Sequence, residues 1–306
     1  MRIAIVGIGG VGGYFGGLLS RQYSEKEGFE IIFVARGKHL EAIKQNGLQV
    51  QSKLGHFITK PSFATNNPAE LGKFDVILFC VKEYDLRQSA RLLQSNVGED
   101  TIVIPLLNGV GNDETLRGLL KGGIIFNGGV YIGAHLLKPG VCAQTGGSCQ
   151  FYFGFESGLP AKGPELEKMF TSAGIQAAYR TDIRKIVWEK YIFISPFASA
   201  TTYFDKSMRA LLDSDTDRAF LENLIREILS IAAFNGIKFK KNAMKNTIEK
   251  ASLFPYETKT SMQMDFEKGK KAELDIFTGF VVNQAREFGV AVPYHQKVLS
   301  VLRQRL

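Results

Sequence analysis

Arg2-Ile3-Ala4-Ile5-Val6-Gly7-Ile8-Gly9-Gly10-Val11-Gly12 opens the chain with an apolar run that passes directly into spaced glycines. Ile3 to Val6 reads as a strand buried on both faces. The stretch holding Tyr14, Phe15, Leu18 and Leu19 reads as the helix after it. In such a unit Gly7 permits the tight turn, Gly9 lets backbone approach a pyrophosphate, and Gly12 lets helix pack on strand. With Ile8, Gly10 and Val11 they form a loop whose free N–H groups, at a helix start, suit the phosphates of a dinucleotide. The spacing alone is weak in a chain with 32 glycines; its setting between strand and helix gives it meaning. The next strand, Ile31 to Ala35, ends at Arg36. An acid there would take a ribose 2′-OH, whereas a guanidinium suits a 2′-phosphate, so the pattern points to NADP(H). The plain alternative is a solvated strand-end cation.

Outward from this loop, strand and helix patterns alternate. His39 to Asn46 reads as a short helix stopped by Gly47, and Leu48–Val50 and His56–Thr59 as short strands. Phe74–Val81 and Thr101–Leu107 have the apolar character of central parallel strands. Ile124–Ala134 and Gln150–Phe155 supply further β segments, and Glu165–Ala173 a helix. Beyond Thr181 the texture turns helical: Ile183–Ala200, Asp217–Phe234, Asn242–Ala251 and Ala272–Phe288. The expected fold is α/β, an N-terminal Rossmann-type doubly wound sheet (1–181) followed by an all-helical domain (182–306), with a small-molecule cleft between them. A length of 306 residues suits two domains.

Composition narrows the function. Apolar residues make up 45% and charged residues 22%, ordinary values for a globular protein. The net charge of +8 is scattered, with Lys240-Lys241 and Lys270-Lys271 inside mixed-charge stretches, so no nucleic-acid patch is expected. No apolar stretch is long enough for a bilayer, and the N-terminus enters a strand without a leader-like region. A cytoplasmic location is expected. Cys80, Cys142 and Cys149 show no CxxC pairing and the four histidines no ligand spacing, so no metal is expected. An oligomer through the helical half is compatible with the sequence, but no feature fixes its order.

Three polar residues sit where ligands gather in open α/β sheets, at strand carboxyl ends: Arg36, Lys82 and Asn108. Asn108-Gly109 is also a common turn, and Lys82 could be a surface cation. In the helical half, Trp188-Glu189-Lys190-Tyr191 places a lysine in apolar company. Desolvation would lower its pKa toward a range useful for proton donation, unless the ammonium snorkels to water. Ser261 and Glu273 stand twelve residues apart, and helix geometry alone does not join them.

In order and spacing, Gly7–Gly12, Arg36 with the following His39–Leu48 segment, Val81-Lys82, Asn108-Gly109-Val110-Gly111, Trp188-Glu189-Lys190, Thr260-Ser261-Met262 with Asp265, and Glu273-Leu274-Asp275 resemble the ketopantoate reductase (2-dehydropantoate 2-reductase) family over nearly the whole chain. The resemblance implies NADPH-dependent reduction of ketopantoate to pantoate in pantothenate biosynthesis. It implies Lys190 as proton donor, Asn108 on cofactor and substrate, Glu273 on the cofactor and Lys190, and Ser261 on the substrate carboxylate. Arg36 and Lys82 would hold the phosphorylated ribose and neighbouring groups, and Ala134 falls at a cofactor-contacting position.

One departure bears on the substrate. Family members usually carry asparagines four and eight residues after the catalytic lysine; here those positions are Ile194 and Ala198. Pro196 lies between them and is expected to disturb the helix. Thr201 returns close to the Lys190 direction, and a kink would turn Ser195 or Ser199 inward, so these hydroxyls are expected to replace the missing amides. Two further readings stand beside ketopantoate reduction: reduction of another 2-oxo acid, and a non-catalytic NADPH-binding sensor.

Overall fold

Strand β1 (Arg2–Val6) lies inside a six-stranded parallel sheet, in the computed structural model that describes residues 1–53, 55–155 and 162–306. Its neighbours are β2 (Glu30–Val34) on one side and β6 (Val76–Phe79) on the other. Outside these run β5 (Phe63–Thr65) beside β2, then β7 (Ile102–Pro105) and β8 (Ile124–Ile125) beyond β6. The chain leaves β1 for one side of the sheet and returns later to the other, so the carboxyl end of β1 is a topological switch point.

Alternation of side chains along the strands makes two cores. Ile3, Ile5 and Phe33 pack with Phe15, Leu18 and Leu19 of α1 (Gly10–Tyr23). Ala4, Val6 and Ile32 pack with Leu86 and Ala90 of α3 (Glu83–Leu92) and Leu116 of α4 (Asn112–Leu119). A helix α2 (Gly37–Asn46) follows β2. The doubly wound expectation describes this layer.

Not every expected strand joins that sheet. β3 (Leu48–Ser52), β4 (Gly55–Thr59), β9 (Asn127–Lys138), β10 (Val141–Gly154) and β11 (Gln176–Tyr179) form a second, mixed sheet in the order β11-β10-β3-β4, with β9 on β10. The reason lies in the connections. β3 turns straight into β4, and β9 into β10 through Pro139-Gly140, and so short a link allows only antiparallel neighbours. The helix α5 (Lys162–Ser172) packs close to β11, where Tyr179 N–H donates to Glu167 at 3.0 Å.

The chain divides into two compact units, Met1–Ile186 and Val187–Leu306. The second is helical: most of α6 (Ile183–Phe204), then α7 (Asp215–Phe234), α8 (Ala243–Ser252), α9 (Ser261–Glu267), α10 (Phe280–Phe288) and α11 (Pro293–Arg303). Helix α6 continues through Pro196 to Phe204, so the proline does not end it. The expected Ala272–Phe288 helix instead begins in a π-helical turn, Asp275–Gly279, before α10. Buried Glu227 of α7 accepts the N–H groups of Tyr294 (2.8 Å) and His295 (3.0 Å), capping α11.

Candidate active site

The first unit gathers its candidate residues at the carboxyl edge of the parallel sheet. Gly7 adopts φ +91° and its N–H donates to Val34 at 3.0 Å, pinning the loop across the switch point. Any side chain at Gly12 would collide with the Gly7 carbonyl, so helix and strand meet there as closely as backbone allows. At Gly9, by contrast, an added Cβ meets nothing within 4 Å. Gly9 is also the N-cap of α1, with no side-chain cap and no acid in the first turn. The helix start therefore offers N–H groups and a positive dipole end facing open space, which fits a pyrophosphate. Ile8 is buried and Val11 half-buried; Gly10 has the Ala134 backbone of β9 directly against it.

Arg36 stands between β2 and α2 with its side chain 75% exposed, and it donates to Asp85 at 2.7 Å. Asp85 lies in the first turn of α3, whose N-cap is Lys82. The guanidinium expected to meet a 2′-phosphate thus already has a carboxylate partner, one that sequence reading missed although it is three residues from Lys82. Asn108 follows β7, half-buried, and its carbonyl accepts from Asn112 Nδ2 at 3.0 Å.

The second unit builds a different kind of site. Lys190 on α6 is only 8% exposed, among Trp188, Tyr191 and Ile192. Burial pushes its ammonium down to about 8, the carboxylate of Glu273 works the other way, and the ammonium of Lys250 lowers it further. Glu273, 4% exposed, is buried as deeply. Lys250 on α8 rests its Nζ 4.9 Å from the Phe193 ring centroid, one turn along α6 from Lys190. Burial lowers its own pKa, against the pull of Glu189. No local pattern marks Lys250, because only the fold brings α8 against α6.

The hydroxyls expected to stand in for the absent asparagines have other partners. Ser195 donates to the Phe277 carbonyl at 2.8 Å, and Ser199 shares a 2.8 Å hydrogen bond with Thr278. Thr201 shares one of 2.8 Å with Thr260. Ser195, Ser199 and Thr201 are all fully buried. Thr260 is the N-cap of α9, accepting from Gln263 N–H, so Thr201 anchors the helix start that carries exposed Ser261.

Among the described residues no group of three or more His, Cys, Asp or Glu side chains could hold a metal ion, and no helix is long and apolar enough to cross a membrane. Burial raises the thiols of Cys80 and Cys142, which opposes thiolate chemistry.

Comparison with known proteins joins the two units. Residues 3–158 match the family model described as ketopantoate reductase PanE/ApbA, and residues 182–306 its C-terminal counterpart. An uncharacterized oxidoreductase of Bacillus subtilis, YkpB, is 29% identical over 304 residues, covering 99% of this chain and 98% of its own. A 2-dehydropantoate 2-reductase of Halobacterium salinarum is 25% identical over 304 residues, covering 99% and 98%. The crystal structure of 2-dehydropantoate 2-reductase from Porphyromonas gingivalis superposes with TM-score 0.84 at 32% identity, covering 99% of each chain. D-Mandelate dehydrogenase, solved with NADH and anilino(oxo)acetate, shares the fold with TM-score 0.87 at 23% identity, over 100% of this chain and 98% of its own. By matches that span both its sheet and its helices, this chain belongs to the ketopantoate reductase family of oxidoreductases.

Proposed function

We propose that this chain reduces a 2-oxo acid with NADPH, with ketopantoate as substrate and pantoate as product in pantothenate biosynthesis. The observation that carries this reading is the buried Lys190 ammonium, pushed down to about 8 and accompanied by buried Glu273. At neutral pH such a group is mostly protonated, yet a much stronger acid than a solvated lysine.

When bound, NADPH supplies a hydride to C2 of the oxo acid. The protein's share is placement and the proton. Lys190 Nζ faces the charge that grows on the carbonyl oxygen and donates its proton there, and Glu273 orients the ammonium. Ser261, exposed at the start of α9, takes the substrate carboxylate, and Asn108 serves both cofactor and substrate. Thr201 acts on the substrate only through Thr260 and the α9 cap. Gly7 to Gly12 and Ala134 would surround the pyrophosphate, while Arg36 and Lys82 would take the phosphorylated ribose. In this reading residues 1–181 serve the cofactor and 182–306 the acid chemistry, in the cytoplasm.

A second substrate reading has its own support. Ile194 and Ala198 remove two amides, and the neighbouring hydroxyls are committed to structure. A pocket without those donors loses discrimination for a substrate hydroxyl and favours 2-oxo acids with apolar side chains. D-Mandelate dehydrogenase, with its aromatic ligand, is a neighbour of that kind.

NADPH oxidation across a panel of 2-oxo acids, including ketopantoate and phenylglyoxylate, tests both. Turnover of ketopantoate that vanishes in Lys190→Ala supports the first reading, and turnover confined to apolar oxo acids replaces it with the second. NADPH binding without turnover of any oxo acid overturns both in favour of a sensor.

A further inference from the structure

Helix α6 carries two stripes side by side. One holds Lys190, Ile194 and Ala198. The other, one residue further on, holds Tyr191, Ser195 and Ser199, each fully buried. This second stripe runs along the π-helical turn Asp275–Gly279. The Tyr191 hydroxyl lies 2.9 Å from the Ile276 carbonyl and 2.7 Å from that of Phe277. Ser195 donates to Phe277 at 2.8 Å, and Ser199 meets Thr278 at 2.8 Å. A phenol has one proton, so Tyr191 and Ser195 together supply one donor for each of the two carbonyls.

A π turn adds a residue to the helical ladder and leaves a carbonyl at the junction without its usual partner. Such turns are uncommon and concentrate at functional sites. Here the hydroxyl stripe supplies donors to the widened segment. Phe277 ties it to the acid: its N–H donates to the Glu273 carbonyl at 3.3 Å, while its own carbonyl takes Ser195, and Tyr191 serves the neighbouring Ile276 carbonyl. The backbone of Glu273 is thereby connected, through one residue, to the helix that bears Lys190.

We propose that Tyr191 and Ser195 are positioning residues that hold the π turn open and so fix the Glu273 carboxylate relative to the Lys190 ammonium. This rests on the reductase reading for its kinetic consequence, but the placement of Glu273 against Lys190 has a readout that needs no turnover. The charged groups acting on Lys190 are Glu273 and Lys250, with Glu189 acting on Lys250 in turn. Glu273 raises the Lys190 pKa against burial and Lys250, so loosening it lets the pKa fall.

The test compares wild type, Tyr191→Phe, Ser195→Ala, their double variant and the partial-donor variant Ser195→Thr. The first readout is the Lys190 titration, measured as the pH dependence of its reductive methylation followed by mass spectrometry. The second is steady-state kinetics with NADPH and the best oxo acid of the panel. Expected is a lowered Lys190 pKa in the double variant and a loss of kcat of about tenfold to a hundredfold, with the KM for NADPH unchanged. Ser195→Thr, which keeps the donor, restores most of both. A folded double variant with lowered Tm but the Lys190 titration of wild type overturns the proposal, leaving the stripe merely structural. Wild-type protein that turns over no oxo acid sinks the reductase reading alone, since the titration still decides the positioning claim.

Discussion

The sheet edge and the helical site are built in opposite ways. At the sheet edge the candidate phosphate site is made of backbone: N–H groups of an uncapped helix start, opened by Gly9 and kept close by Gly12. In the helical unit the candidate groups are the side chains of Lys190 and Glu273, far apart in sequence and both buried, with the charge of Lys250 acting on Lys190, so the chemistry there comes from burial rather than from loop shape. Damage to the first should appear as weakened cofactor binding, and damage to the second as slowed chemistry with binding retained.

The sharpest break in that contrast is Lys190→Ala. Loss of a positioned general acid typically costs about 10²–10⁴ in kcat. The Kd for NADPH, followed by its fluorescence, should stay at the wild-type value. A weakened Kd in this variant would erase the distinction between the two regions. Next comes Glu273→Gln. Removing the carboxylate takes away a charge that raises the Lys190 pKa, so the pH at which kcat declines should move down, with kcat at pH 7 reduced by about tenfold or more.

Arg36→Ala should do the reverse, raising the KM for NADPH about tenfold while leaving NADH kinetics and kcat nearly untouched, as for loss of one charged hydrogen bond. Equal losses with both cofactors would assign Arg36 to packing instead. Two smaller effects refine each side. Asp85→Asn frees the Arg36 guanidinium from a largely exposed ion pair worth about 0.2–1 kcal/mol, so NADPH should bind up to a few-fold tighter. Lys250→Met removes a like charge, and the Lys190 titration should move upward.

The same contrast explains what could be read from the residues alone. The glycine loop, Arg36 and the central strands lie within short windows, where strand periodicity and turn chemistry act locally. The second sheet was less legible, because Leu48–Val50 and Ile124–Ala134 look like any strands until their antiparallel partners are known. In the helical half, the apolar company of Lys190 hinted at a perturbed ammonium but left snorkelling open. The burial of Lys190, with the charges of Lys250 and Glu273 acting on it from sixty and eighty-three residues further along the chain, closes that choice in the structure. Helix angle alone points the hydroxyls of Ser195, Ser199 and Thr201 toward a substrate, because it cannot reveal the partners they find in the π turn and at the α9 cap.

The most direct check is the pH profile of kcat between pH 6 and 10, at saturating NADPH and oxo acid, for wild type and Glu273→Gln. With Lys190 as the acid, the wild-type rate is level at low pH and falls as the ammonium is lost near pH 8, and the fall comes at lower pH in the variant. A wild-type rate that stays level to pH 10, or a decline at the same pH in both proteins, contradicts proton donation by Lys190 under the control of Glu273.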